Sequence, residues 1–155
     1  KEKQQQIRAT LDELFQMAAE GADRKKQGIV QRVEDYIAQN YQNPDITVED
    51  IAMSAGLSSN YLRRIFRDQC GYSPMDYLVN YRIETAKELF RDTTHTAKEV
   101  AELVGYANTK YFYSLFKKQT GQSTYEYKQS LEQEKKDGKT LEQCNQGMKA
   151  LEQEE

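Results

Sequence analysis

Residues 46–78 read ITVEDIAMSAGLSSNYLRRIFRDQCGYSPMDYL. Thr47 opens a T-x-x-D pattern, a capping box with Asp50 where Glu is more usual. The helix it starts must be short, to about Ala55, because Gly56 suits the left-handed backbone that closes a helix. Ser58 or Ser59 can cap the next helix, Asn60 to about Cys70, which Gly71 closes. Ser73 caps a further helix with Pro74 in its first turn, where a missing N–H costs nothing. A short helix, a glycine turn and a helix of about three turns make a helix-turn-helix unit. Ile51 and Ala52 pack from its first helix, and Leu62, Ile65 and Phe66 from its second. The small Ala52 lets the two helices approach closely.

Residues 96–128, TAKEVAELVGYANTKYFYSLFKKQTGQSTYEYK, repeat this grammar. Thr96 and Glu99 form a second capping box, and the short helix ends at Gly105. Asn108 caps a helix to about Thr120, closed by Gly121, and Ser123 to Glu126 caps a last one. Ile51-Ala52 and Gly56 match Val100-Ala101 and Gly105, each 49 residues on. Tyr61, Phe66, Gly71 and Tyr77 match Tyr111, Phe116, Gly121 and Tyr127, each 50 residues on. The extra residue falls in the turn after the first glycine, where an insertion leaves both core patterns in phase.

Between the copies, residues 74–92 form one long helical pattern with Tyr77, Leu78, Tyr81, Ile83, Ala86 and Leu89-Phe90 among its apolar positions. Such a helix spans roughly 28 Å, close to the roughly 34 Å between successive major-groove faces on one side of a DNA duplex. Upstream, Val30, Val33, Ile37 and Tyr41 mark a helix from Ile29 that Asn43-Pro44 ends. Ile7, Leu11, Leu14, Phe15 and Ala18 form one apolar stripe. It is expected to pack on its own domain, with dimerisation as the alternative. Gly21 and Gly28 bracket Arg24-Lys25-Lys26, which reads as a solvated connector. The expected fold is all-α: two helix-turn-helix subdomains joined by a long linker helix, about seven core helices, an N-terminal connector helix and a polar C-terminal tail. The boundaries are 1–28 for the connector, 29–128 for the tandem domain (first unit 29–73, linker 74–92, second unit 96–128) and 129–155 for the tail.

The chain has 155 residues and a formal net charge of −3. Residues 29–128 hold twelve Lys and Arg against thirteen Asp and Glu, so the domain is not basic overall. The positive charge is local. Residues 59–70 carry three Arg and one Asp, and 109–120 carry three Lys and no acid. Residues 129–155 carry four Lys and seven acids with few large apolar groups, which reads as a solvated helix or a disordered tail. Two cysteines and one histidine make neither a disulfide framework nor a metal-ligand set, so no metal or other cofactor is expected, and a reducing cytoplasm fits. No apolar run approaches the roughly 18 residues of a membrane span and no signal peptide is visible, so no membrane contact is expected. There is no nucleophile–base pair and no phosphate-cradling loop, so no enzyme is expected. A first residue of Lys1 reads as a piece of a longer chain.

In a helix-turn-helix unit the exposed face of the second helix enters the major groove. Those faces are Ser59, Asn60, Arg63, Arg64 and Arg67 in the first copy, and Thr109, Lys110, Tyr113, Ser114, Lys117 and Lys118 in the second. Arg can bind guanine and Asn adenine through paired hydrogen bonds, and Thr or Tyr offers weaker readout. Lys117 and Lys118 are placed for phosphates, which position without specifying. Phe66, Phe112 and Phe116 sit at core spacing, whereas Tyr61 and Tyr111 stay candidates for stacking on bases. His95 reads as a turn residue, Cys70 as a packed thiol and Cys144 as an exposed one. The competing reading is a helical protein–protein module that does not bind DNA, favoured slightly by the net charge and the acidic tail.

From Ile46 to Tyr127 the sequence resembles the AraC/XylS family of bacterial transcription regulators, with YRIETAKELF (81–90) joining the two quoted stretches. The resemblance implies a seven-helix, two-subdomain module that binds double-stranded DNA and activates transcription through contact with RNA polymerase. By position it implies base reading by Asn60, Arg63 and Arg64, then by Thr109, Lys110, Tyr113 and Ser114. Thr124 departs from the family's usual Pro, and Ser114 stands where relatives often carry Arg, which implies weaker readout by the second unit. The oligomeric state stays open, with a homodimer through a missing upstream domain or the 7–18 helix as the alternative to a single copy.

Overall fold

The computed structural model describes residues 2–152, with side chains described for 5–18 and 20–139. The expectation for Cys144 lies outside the described side chains. Seven helices run in order: α1 (Glu2–Asn40), α2 (Val48–Ser54), α3 (Ser59–Cys70), α4 (Pro74–Asp92), α5 (Ala97–Leu103), α6 (Thr109–Thr120) and α7 (Thr124–Glu152). None of the described helices is long and apolar enough to cross a membrane. The chain forms two compact units, residues 1–81 and 82–155, with α4 contributing to both.

Helix starts follow the sequence closely. Thr47 Oγ1 accepts from the Asp50 N–H at 3.2 Å, and Asp50 Oδ2 accepts from the Thr47 N–H at 3.0 Å. Reciprocal pairs of the same kind join Ser73 to Asp76, Thr96 to Glu99 and Ser123 to Glu126. Each satisfies two backbone donors that the first helical turn leaves without partners. Ser58, not Ser59, caps α3 by accepting from the Tyr61 N–H, and Asn108 caps α6 by accepting from the Tyr111 N–H. Gly71 and Gly121 close α3 and α6 at φ 79° and 80°, each donating its N–H to a carbonyl four residues back, Arg67 and Lys117.

In the first unit, Val33 and Ile37 of α1 pack with Ile46, Ile51, Ala52, Ala55, Leu62, Phe66 and Leu78. In the second, Ile83, Ala86, Phe90, Val100, Ala101, Val104, Phe112 and Phe116 are buried. The Phe116 ring lies 5.7 Å from Phe90 and 5.5 Å from Tyr127, in edge-on contacts that suit aromatic quadrupoles.

Two local expectations fail. The break at Gly21–Gly28 is absent, and α1 continues from Glu2 to Asn40. Neither glycine has positive φ, and one glycine in a helix interior costs only about 1 kcal/mol against Ala. The intervening Arg24, Lys25 and Lys26 are good helix formers, so a basic run alone does not stop the helix. The stripe at Ile7, Leu11, Leu14 and Phe15 does not pack on its own domain but stands open to solvent, because the globular contacts of α1 begin further on, around Ile29. The tail resolves toward its helical reading, since α7 runs to Glu152.

Candidate nucleic-acid interface

α3 and α6 are built alike: each has a capped start, one buried side, one open side and a left-handed glycine at its end. On α3, Leu62, Ile65 and Phe66 are buried while Asn60, Arg63, Arg64 and Arg67 are exposed and Ser59 is half-buried. On α6, Phe112 and Phe116 are buried and Leu115 half-buried, while Lys110, Tyr113, Ser114, Lys117 and Lys118 are exposed and Thr109 is half-buried. The expected surface residues of each unit therefore share one open helix face. The two half-covered residues, Ser59 and Thr109, are the first residues of their helices. Phe66, Phe112 and Phe116 are core, as their spacing predicts, and Tyr61 and Tyr111 are exposed.

No described residue forms an ion pair with the cations on these faces. Lys87 pairs with Glu84 at 3.0 Å, and His95 Nδ1 meets Glu99 Oε2 at 3.0 Å. Arg64, Arg67, Lys110, Lys117 and Lys118 belong to neither. Arg63 Nη1 donates to Asn60 Oδ1 at 3.3 Å, one helical turn back. That contact holds two groups able to make paired hydrogen bonds with bases side by side at the start of α3.

The second unit has a feature that sequence reasoning missed. Arg82 is buried, with its guanidinium carbon 4.9 Å from the centroid of the Tyr106 ring. The Tyr106 ring in turn lies 5.5 Å from Phe112 and 5.9 Å from Tyr111, both on α6. Arg82 and Tyr106 thus brace the start of the second exposed helix from behind. Its one mark in the sequence is a place on the four-residue row Leu78, Arg82, Ala86 and Phe90; all four are buried, but what covers the cation is Tyr106, remote in sequence. Burial raises the Tyr106 hydroxyl above its ordinary value, against an opposing pull from Arg82.

His95 sits in the turn before α5. Its Nδ1 lies 3.0 Å from Glu99 Oε2, and its carbonyl accepts from Lys128 Nζ at 3.1 Å. Hydrogen bonds from the Thr96 backbone and then from His95 lower the Glu99 carboxyl below its ordinary value.

A family model described as a helix-turn-helix domain matches residues 35–130. The chain belongs to the AraC/XylS-type helix-turn-helix family. Its relatives include the lactose operon transcription activator of Staphylococcus xylosus, 33% identical over 99 residues, which are 64% of this chain and 35% of that one. Among solved structures, the C-terminal domain of the response regulator AraT from Geobacillus stearothermophilus superposes with a TM-score of 0.64 at 35% identity, covering 66% of this chain and 84% of that one. The C-terminal domain of the two-component response regulator yesN from Fusobacterium nucleatum gives a TM-score of 0.60 at 31% identity, covering 62% and 93%. The chain spans between 35% and 60% of the length of the first relatives it matches.

Proposed function

We propose that this chain is the DNA-reading part of a bacterial transcription regulator, with α3 and α6 each entering the major groove of double-stranded DNA. Asn60, Arg63 and Arg64 read bases from α3, and Thr109, Lys110, Tyr113 and Ser114 read them more weakly from α6. Arg67, Lys117 and Lys118 hold phosphates, with Ser59 at the backbone edge of the first contact. The observation that carries the reading is the twice-built open face, cationic and in no ion pair with a described residue, on a helix anchored by its opposite side. A local excess of positive charge supplies the salt-dependent part of such binding even in a chain of net negative charge.

The names of the relatives support a regulatory role, and that of the S. xylosus protein supports activation. Activation through contact with RNA polymerase belongs to the same proposal. A mobility-shift series on random duplex, followed by selection of preferred sequences, tests it. Salt-sensitive binding and selected sites with two contact regions about one helical turn apart are expected. Absence of binding to any duplex at low salt would favour the protein–protein reading instead.

A further inference from the structure

We propose that Arg82 is a positioning residue for DNA reading by α6: acting through Tyr106, it fixes the first turn of that helix, from which Thr109 and Lys110 reach base edges. This role rests on the groove assignment proposed above. The contacts run without a break. The Arg82 guanidinium lies 4.9 Å from the Tyr106 centroid. The Tyr106 ring meets Tyr111 edge-on at 5.9 Å and Phe112 at 5.5 Å. Tyr111 is held a second time through its backbone, since its N–H donates to Asn108 Oδ1 at 3.1 Å. Its side chain is nevertheless 56% exposed, so core burial does not fix it as it fixes Phe112. Thr109 and Lys110 lie between the Asn108 cap and Tyr111. The first turn of a recognition helix is the part that meets base edges, and a binding group is placed only as well as the side chains that support it.

The first unit shows that folding by itself does not call for a cation at this place. Arg82, Ala86, Phe90 and Tyr106 fall 49 residues after Val33, Ile37, Tyr41 and Leu57, the offset that also relates Gly56 to Gly105. Val33 and Ile37 are fully buried, and Tyr41 and Leu57 pack against the core they belong to. Aliphatic groups therefore fill the place that Arg82 and Tyr106 fill in the second unit, with the larger Ile37 standing where the second unit has Ala86. Apolar residues in place of a buried charge are often as stable, because a buried ion carries a desolvation cost. What the guanidinium adds is orientation. A planar cation stacks on a ring face, which sets the plane of Tyr106 and so the edge it offers to Tyr111. An aliphatic pair fills space without fixing a plane.

Mobility shifts of the 155-residue chain on a selected duplex and its single-base-pair variants test this role. Arg64→Ala and Lys110→Ala mark the base pairs that α3 and α6 read. Arg82→Met keeps the aliphatic stem and removes the guanidinium. It is expected to stay folded by circular dichroism and to lose about fivefold of the mismatch penalty at the base pairs marked by Lys110→Ala. The penalties marked by Arg64→Ala should be retained, and Arg82→Lys should restore part of the loss. The triple variant Arg82→Val, Ala86→Ile and Tyr106→Leu carries the first unit's set, so it keeps the core filled if Arg82→Met unfolds, and the same one-sided loss is expected of it. Amide exchange reads the first turn without DNA: Tyr111 and Phe112 should exchange faster in the folded variants while Phe116 stays protected. Unchanged penalties, an equal loss under both helices, or unchanged exchange would overturn the positioning role and leave the groove assignment standing. A wild-type chain that binds no duplex would overturn both.

Discussion

The Arg82 guanidinium lies over the Tyr106 ring, 4.9 Å from its centroid, and Arg82 is the buried charged residue among the described side chains. A desolvated cation over an aromatic face is worth about 2 kcal/mol, and the aliphatic stem packs as well. Arg82→Ala is expected to destabilise the second unit by at least about 2 kcal/mol. Arg82→Lys should recover only part, since ammonium lacks the planar face that stacks on a ring. Urea unfolding followed by circular dichroism measures both, as the chain has no Trp. An Arg82→Ala protein as stable as wild type would remove the brace.

Tyr106 contributes to alkaline sensitivity. Its hydroxyl is buried beside the Arg82 guanidinium without a hydrogen bond of regular geometry to a described residue, and its ionisation is raised above the ordinary value of 10.0 chiefly by that burial, with Arg82 opposing. The folded state thus holds the phenol proton more tightly than the unfolded state. Its stability contribution is complete below the unfolded value and falls as pH rises above it. Tyr106→Phe is expected to be neutral or slightly stabilising at pH 7 and to lose less stability than wild type above pH 10. Unfolding midpoints at the two pH values check this, and equal alkaline losses would contradict it.

Glu99 acts in the opposite direction. Its carboxyl is lowered by the Thr96 backbone and then by His95, so its contribution is present above the ordinary carboxylate value and lost as pH falls through the lowered one. Carbon-13 shifts of the Glu side chains against pH are expected to place Glu99 below the exposed glutamates of the same chain. Thr96→Ala, which removes the hydroxyl that accepts from the Glu99 N–H, should cost about 1 kcal/mol.

Gly71 and Gly121 share positive φ and have nothing within 4 Å of an added Cβ. Alanine at either site therefore pays for the left-handed backbone alone, about 1–2 kcal/mol. Gly28 also has open space but lies in α1 without positive φ. Gly28→Ala is expected to raise helical circular dichroism while the other two lower the unfolding temperature.

Arg64→Ala is expected to weaken specific DNA binding by about 1–3 kcal/mol and to relax preference at one base pair. Lys117→Ala should weaken binding to all sequences and flatten its salt dependence, because it removes one phosphate contact and its released counterion. Mobility shifts at several salt concentrations separate the two. An Arg64→Ala protein with wild-type affinity and preference would place α3 outside the groove.

Much of this protein is written locally. The capping pairs Thr47–Asp50 and Thr96–Glu99, the closing glycines Gly71 and Gly121 and the 49- and 50-residue repeat fix where helices begin and end, because each acts over a few residues of backbone. They also fix which side of α3 and α6 is apolar, and so which residues stay open. Three features needed tertiary structure. The glycines at 21 and 28 can end or continue a helix equally well by local preference, and α1 continues. The Ile7–Phe15 stripe shows periodicity without saying what lies opposite, and its large apolar side chains stand exposed among the described residues. Arg82 reads as one more surface cation until the second unit sets the Tyr106 ring against it, since burial of a charge depends on partners remote in sequence.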